Sequence, residues 1–303
     1  AATHAESWRV SPDGEIRDRF GTLTSVFQCE ERAFFDFYAN AAAEATRQSA
    51  GYHQAWARRD AWLRARLPEL PFSGRWIAQH ASPLIAENTV VHFAILNALR
   101  SWNYFPLPES TRCFCNTGGF GIDGALSTTL GSALAKPDAP HLCVIGDLAF
   151  FYDMNALGNR HLPGNIRILL INNGVGDEMH MSYSIGSSLG NKVFDHVAAA
   201  GHFQSRQDHS SAAEAWAEAM GFRYTSAQNK EEFETAIEPF TDPRTPGPAM
   251  LECFTTPDDD MLAGKALTQV DPNKTREETM KATLKSILPD GALKAAKQIL
   301  RNH

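Results

Sequence analysis

From about Ser82 onward, short apolar runs alternate with helical segments at a spacing that few folds accept. Leu142–Ile145 and Ile168–Ile171 are continuous apolar stretches with no polar residue at every second position, so they read as strands covered on both faces. Strands are expected at His141–Ile145, Arg167–Ile171, Phe222–Ser226 and Ala249–Phe254. Helices are expected over Glu87–Trp102, Ala125–Ala135, Phe151–His161 and Glu231–Phe240, and Ala213, Trp216, Ala217 and Met220 recur at helical spacing before Phe222. Strand–helix alternation of this kind calls for an α/β fold: a doubly wound, mainly parallel sheet with helices on both faces and right-handed crossovers. A Thr275/Glu278 capping box is expected to start a C-terminal helix that ends near Pro289-Asp290-Gly291 and leaves room for one more.

The segment before this pattern is different. Pro12-Asp13-Gly14 followed by the β-rich Thr22–Phe27 suggests a hairpin or the last strands of a domain. Residues 30–67 are rich in Ala, Arg, Glu and aromatics and are read as two helices, after which Pro68, Pro71 and Gly74 punctuate a linker. The chain opens on Ala1, not Met, in a segment that reads as the end of something, as in a processed or truncated chain.

With 303 residues there is length for two domains, and the net charge of −7 comes without a basic block, so neither nucleic acid nor an anionic membrane is an expected partner. No apolar run approaches the ~18 residues that span a bilayer, and no signal-peptide pattern opens the chain, so a cytoplasmic protein is expected. Cys29, Cys113, Cys115, Cys143 and Cys253 are odd in number and scattered, which favours reduced thiols. Cys113-x-Cys115 lacks the second Cys/His pair that a tetrahedral metal site needs.

The chemistry concentrates at two strand ends. Gly146-Asp147-Leu148 follows one apolar strand and opens a helix; Asn173, 26 residues after Asp147, ends the next strand in Asn172-Asn173-Gly174-Val175-Gly176. In doubly wound sheets ligands bind outside the carboxyl ends of the strands. An aspartate carboxylate, an asparagine amide oxygen and a backbone carbonyl are hard donors that suit Mg2+, which keeps its other positions for water and phosphate oxygens. The Leu148 and Ala149 amides at the helix start are candidate donors to phosphate.

Gly-Asp-x followed at this interval by Asn-Asn, each after an apolar strand, is the signature of thiamin-diphosphate enzymes. A second stretch narrows the resemblance. Asn116-Thr117-Gly118-Gly119-Phe120-Gly121-Ile122-Asp123-Gly124 with Ser127-Thr128, and Gly146-Asp147-Leu148-Ala149-Phe150-Phe151-Tyr152-Asp153-Met154-Asn155-Ala156-Leu157, resemble the MenD family of menaquinone-pathway synthases over roughly residues 85–255. The resemblance implies thiamin diphosphate and Mg2+ as cofactors. It implies Asp147 and Asn173 as side-chain metal ligands, Val175 as a carbonyl ligand, and Gly119, Gly121, Ile122, Gly146, Leu148 and Ala149 as further cofactor contacts. Ile122 matches the apolar side chain over which the cofactor folds into a V. Arg100 falls roughly where the family places a substrate-contacting arginine.

Two departures matter. The arginine that follows the loop asparagine in the family, and that is expected to hold a substrate carboxylate, is Thr117 here, and the Ile-Phe segment after Asn-Asn is replaced by Asp177-Glu178-Met179-His180. Losing a guanidinium and gaining two carboxylates changes which anion the pocket accepts. Glu178 and His180 are candidate acid/base groups, whereas His202 is a lone histidine read as structural. The family's activating glutamate lies in a separate pyrimidine-binding domain for which this chain has no room. The domain reading is therefore a C-terminal remnant of a middle domain (residues 1–40), a helical linker (41–81) and the diphosphate-binding domain (82–303), with a pyrimidine-binding domain or chain, in a homo- or hetero-oligomer, as partner.

The implied activity is decarboxylation of a small 2-oxo acid with ligation of the resulting acyl anion to an acceptor other than the family's own. The alternatives are a simple 2-oxo acid decarboxylase of phosphonopyruvate or sulfopyruvate type, and a non-catalytic cofactor-binding subunit.

Overall fold

In the computed structural model residues 6–41, 50–181, 184–193 and 211–271 are described. The capping box at Thr275 and the lone His202 lie outside them. The chain divides into two compact units, Ala1–Leu67 and Pro68–His303.

In the first unit, β1 (Ser7–Val10) and β2 (Leu23–Phe27) pair in parallel, with Ser7 opposite Leu23 and Val10 opposite Phe27. The expected hairpin is thus corrected: the Pro12–Gly14 turn does not return the chain directly. Arg9 holds the turn through Asp13 Oδ1 at 2.8 Å and the Glu15 carbonyl at 2.7 Å, and the chain loops back to start β2 beside the start of β1. The two expected helices follow as α1 (Glu31–Ala41) and α2 (Ala50–Arg64). Trp8, Phe27, Phe34 and Tyr38 cluster against one another, with ring centroids 5.0 Å apart for Phe27–Phe34 and 4.7 Å for Phe34–Tyr38.

The second unit carries the sheet. It starts with α3 (Gly74–Ala81), a helix where the sequence suggested only a linker; Ser73 caps it by accepting the Trp76 N–H at 3.2 Å. The remaining elements are β3 (Val90–Phe93), α4 (Asn97–Trp102), β4 (Arg112–Cys115), α5 (Ala125–Ala135), β5 (His141–Gly146) and α6 (Asp147–Asp153). They continue with β6 (Ile166–Asn172), α7 (Ala212–Ala219), β7 (Arg223–Ala227), α8 (Lys230–Thr241), β8 (Ala249–Phe254) and α9 (Pro257–Thr268). All six strands are parallel, in the order β4-β3-β5-β6-β8-β7.

Two expectations are corrected here. The helix read over Glu87–Trp102 is a strand followed by a short helix, because Val90-Val91-His92-Phe93 is buried on both faces and a run apolar all round has no period to distinguish the two. The helix read over Phe151–His161 begins four residues earlier, at Asp147, and tightens into a 3-10 turn over Met154–Gly158. β4 and α9 were not anticipated.

One sheet face packs Cys143, Ile145, Ile168, Leu170 and Met250 against Leu126, Leu130 and Ala133 of α5, Phe150 of α6 and Ala213 and Ala217 of α7. On the other side Trp76 of α3 and Phe233 of α8 meet edge to face at 5.5 Å. The helices therefore lie on both faces, as expected. The chain runs from β3 outward to β4 and then returns to β5 on the other side of β3, so the direction of winding reverses between β3 and β5. Such a reversal leaves a crevice at the carboxyl ends of the two strands.

Candidate functional site

The crevice is real. A cavity of about 230 Å³ opens there, lined by Ala94–Ala98 after β3, Gly146–Ala149 after β5, Ile171, Asn173 and Val175–Met179 after β6, together with Ile122, Gly74 and Asp260. The register Gly146 opposite Ile171 brings the ends of β5 and β6 level, so the residues that follow meet side by side.

Asp147 ties the two ends together. Its Oδ1 accepts the Leu148 N–H at 2.8 Å and its Oδ2 accepts the Gly174 N–H, also at 2.8 Å. Gly174 has φ of +76°, a left-handed conformation that lets its amide turn toward the carboxylate. Burial pushes the Asp147 carboxyl up to about 7 despite those two donors, with the nearby Glu252 charge adding to the shift. Such a group gains from a cation. Asn173 Oδ1 accepts the Val175 N–H at 3.2 Å, and Asn172 is fixed behind it: its Nδ2 donates to Glu252 at 2.6 Å and its Oδ1 accepts the Gly174 N–H at 3.0 Å. Glu252, fully buried, also accepts from Ser211 Oγ at 3.0 Å and Tyr224 Oη at 2.6 Å, and burial beside this carboxylate pushes the Tyr224 phenol far up.

The glycine loop reaches the cavity through one residue. Asn116 Nδ2 closes the loop by donating to Thr128 Oγ1 at 2.9 Å and the Gly124 carbonyl at 3.3 Å, and Ile122 then lines the cavity beside Asp147, Asn173 and Val175. Gly119 is exposed and Gly121 half-buried, and neither reaches the cavity wall. Thr117 is likewise exposed and away from the wall. Leu148 and Ala149 line the cavity, but the Leu148 amide is engaged by Asp147.

The replaced segment folds into a 3-10 turn over Asp177–Met179. Glu178 lines the cavity and grips Arg100 of α4, whose Nη1 donates to both carboxylate oxygens at 2.6 Å. The two candidates, one for acid/base work and one for substrate, thus pair with each other. His180 turns away from the cavity and sets Nε2 3.3 Å from Asp258 Oδ1.

Two carboxylates of the site were not singled out as site residues in the sequence: Asp177, noted there only for its charge, and Asp260. Asp177 is buried and accepts the Asn97 Nδ2–H at 2.5 Å. Asp260, on α9, is 4% exposed, takes the Gly74 N–H at 2.7 Å on Oδ1 and the Thr255 Oγ1 hydroxyl at 3.2 Å on Oδ2, and lines the cavity with Asn173. Burial holds both carboxyls above the usual carboxylate range, the Asp260 charge adding to the shift of Asp177, with Arg75 opposing in each. A signal for α9 was present: Thr256-Pro257-Asp258-Asp259-Asp260 carries a cap residue, a proline at the first helical position and an acidic first turn. Among the described residues no group of three His, Cys, Asp or Glu side chains converges on a metal position, so Cys113 and Cys115 form no such site. A carboxylate, an amide and a backbone carbonyl make a donor set of another kind.

The comparisons with known proteins agree with this geometry. Residues 97–253 match the family model described as thiamine pyrophosphate enzyme, C-terminal TPP binding domain. The chain is 34% identical over 257 residues to a protein of Bacteroides fragilis named 2-succinyl-5-enolpyruvyl-6-hydroxy-3-cyclohexene-1-carboxylate synthase, covering 84% of this chain and 43% of that protein. Proteins of the same name from Phocaeicola vulgatus and Bacteroides thetaiotaomicron are 34% and 32% identical over 256 residues, again covering 84% of this chain and 43% of theirs. The chain therefore spans less than half the length of these relatives.

Proposed function

The chain belongs to the thiamine pyrophosphate enzymes, whose C-terminal cofactor-binding domain it contains, and from that membership we propose that it forms the diphosphate and metal half of a MenD-like active site. The observation that carries this reading is the convergence of Asp147, Asn173, Val175 and Ile122 on one cavity at the winding reversal of the sheet. The residues fit the group: hard oxygen donors and an apolar side chain suited to prop it line the same cavity. In the proposed holoenzyme Asp147, Asn173 and the Val175 carbonyl hold Mg2+, which anchors the diphosphate, with Gly146, Leu148 and Ala149 forming the wall beside it. Ile122 supports the bent cofactor.

The bound cofactor supplies an acyl-anion equivalent from a 2-oxo acid. The chain's own contribution is to position it and to keep water out, through the apolar wall of Ala94, Ile95, Leu96, Ala98 and Trp102. Glu178, gripped by Arg100 from outside the cavity wall, forms a polar part of the substrate space and is the candidate to hold a proton at the reacting carbon. His180 faces Asp258 and has no part in this scheme. Ligation to an acceptor is favoured over simple decarboxylation by the names of the relatives. The acceptor on this reading differs from the family's own, because Asp177 and Glu178 bring two carboxylates to the cavity wall where the family has an Ile-Phe segment. The activating glutamate comes from a pyrimidine-binding domain, in this or another polypeptide.

Calorimetric titration of thiamin diphosphate with Mg2+ into the full-length protein tests the reading. One site in the wild type and loss of binding of at least about tenfold in Asp147→Ala are expected. Absence of binding by the wild type would reject it. Product analysis with a 2-oxo acid, with and without an aldehyde or enone, separates ligation from decarboxylation.

A further inference from the structure

A carboxylate in the middle of a sheet covered on both faces is costly unless donors meet it. Glu252 of β8 is fully buried, and by strand alternation its side chain shares a face with the core residue Met250. It stands opposite Leu170 of β6 and Ser226 of β7. From there it collects donors from three elements. Oε1 accepts from Asn172 Nδ2 at 2.6 Å and from Ser211 Oγ at 3.0 Å, and Oε2 accepts from Tyr224 Oη at 2.6 Å. Ser211 Oγ itself accepts the Ala213 N–H at 3.0 Å, which leaves its proton for the carboxylate.

Among these donors the asparagine leads on to the candidate metal site. The two ends of its amide differ in what they can bond: the oxygen accepts and the NH2 donates. With the NH2 end held by Glu252, Asn172 Oδ1 faces the other way and accepts the Gly174 N–H at 3.0 Å. Asp147 Oδ2 shares that same N–H at 2.8 Å. Turned over, the amide would set its NH2 against the Gly174 N–H and its oxygen against the Glu252 carboxylate, two repulsions in place of two hydrogen bonds. Gly174 stands between Asn173 and Val175, two of the three candidate ligands, and its amide meets the third.

We propose that Glu252 is a positioning residue for the metal site: by fixing the Asn172 amide it sets the Gly174 peptide, and with it the Asn173–Val175 turn, against Asp147. This role rests on the cofactor reading above and adds to it a residue 80 positions beyond Asn172, on a strand none of whose residues lines the cavity.

The test is a set of variants of the full-length protein, read by calorimetric titration of Mg2+ at saturating thiamin diphosphate and by the thermal midpoint of the apoprotein. Glu252→Leu leaves the Asn172 NH2 without its acceptor and is expected to weaken Mg2+ binding by about 10- to 100-fold. Glu252→Gln can turn its amide oxygen to Asn172 and its NH2 to the Tyr224 hydroxyl, so it is expected to keep affinity close to that of the wild type. The exchange of Asn172→Asp with Glu252→Gln reverses donor and acceptor at the same total charge, still offers an oxygen to Gly174, and is expected to bind as well. It also serves where Glu252→Leu does not fold. A merely structural role would lower the thermal midpoint of Glu252→Leu and leave its Mg2+ affinity unmoved, which would overturn the inference. A loss in Glu252→Gln as large as in Glu252→Leu, or an exchanged pair that does not bind Mg2+, would overturn it as well, while leaving the cofactor reading intact. Failure of the wild type to bind thiamin diphosphate with Mg2+ would overturn both.

Discussion

At Gly174 a backbone amide and a left-handed φ serve the same purpose, since the amide reaches Asp147 Oδ2 only because the chain turns there with φ of +76°. Replacing Gly174 with alanine forces a side chain into that conformation at about 1 kcal/mol and withdraws the donor from Asp147. Cofactor affinity should fall by at least about fivefold, while the apoprotein loses only the strain cost, a drop of about 2–4 °C in its thermal midpoint, as read by parallel calorimetry and melting. A second residue-scale feature is independent of the site. His92 and His141 lie stacked 6.3 Å apart on β3 and β5, with Phe114 5.5 Å from His92 on the other side. Burial drives His92 down to about 4, helped by His141, and burial also lowers His141. The unfolded chain takes protons at these imidazoles near pH 6.5 whereas the native state does not, so stability is lost as pH falls from about 6.5 toward 4. The loss from His92 amounts to no more than about 3 kcal/mol. Urea midpoints measured across that window should fall with pH, and His92→Phe should flatten the slope. Asp147 and Asn173 were legible from the sequence because their spacing and strand contexts travel with the motif. Asp260 was not, because its meaning is a contact with Gly74 across 186 residues.

Elements were legible where their burial left a period or a boundary. β5, β6 and β8 are apolar runs closed by Gly146, by Asn172-Asn173 and by Thr255, and α5 begins just after Gly124 and ends at Ala135, as read. β3 failed because four consecutive buried residues carry no alternation and the short α4 follows within four residues, so the two merged into one apparent helix. β4 failed for the opposite reason: as an edge strand with exposed Arg112, Cys113 and Phe114 it has no apolar face to announce it. α3 was hidden by the Pro68, Pro71 and Gly74 that punctuate its approach, and α9 by its acidic first turn, although each carries a cap. The cap of α9 can be tested. Thr256 Oγ1 accepts the Asp259 N–H at 3.1 Å, so Thr256→Ala should cost about 1 kcal/mol of global stability by denaturant titration. Because Asp260 lies in that first turn, the same substitution should also weaken cofactor binding, whereas an equal loss of stability introduced in α7, by Ser211-independent trimming of Trp216 to phenylalanine, should leave affinity unchanged.

At the scale of the whole molecule, the proposed reading makes this chain one half of a site. Among the described residues no helix is long and apolar enough to cross a membrane, yet apolar side chains stand in water in the loops at the carboxyl ends of the strands. Phe120, after β4, is 65% exposed, and Ile185 and Leu189, after β6, are 93% and 58% exposed. Single apolar residues in water need no explanation, but on the proposed reading those in the loops that flank the candidate site are where a further domain would dock. The chain spans 43% of its relatives' length, so there is sequence in them to supply such a cover. On the proposed reading the cover is the pyrimidine-binding domain that brings the activating glutamate. Ile185→Asp and Phe120→Asp should each weaken association with that domain by about tenfold or more in sedimentation experiments, because each places a charge in a desolvated contact. Both positions are surface sites of the unit studied alone, so its thermal stability should move by no more than about 0.5 kcal/mol. Turnover should fall in parallel with association and return at high partner concentration, as expected of a site completed by docking. Association that survives both charges would place the missing glutamate's approach on another face of the sheet.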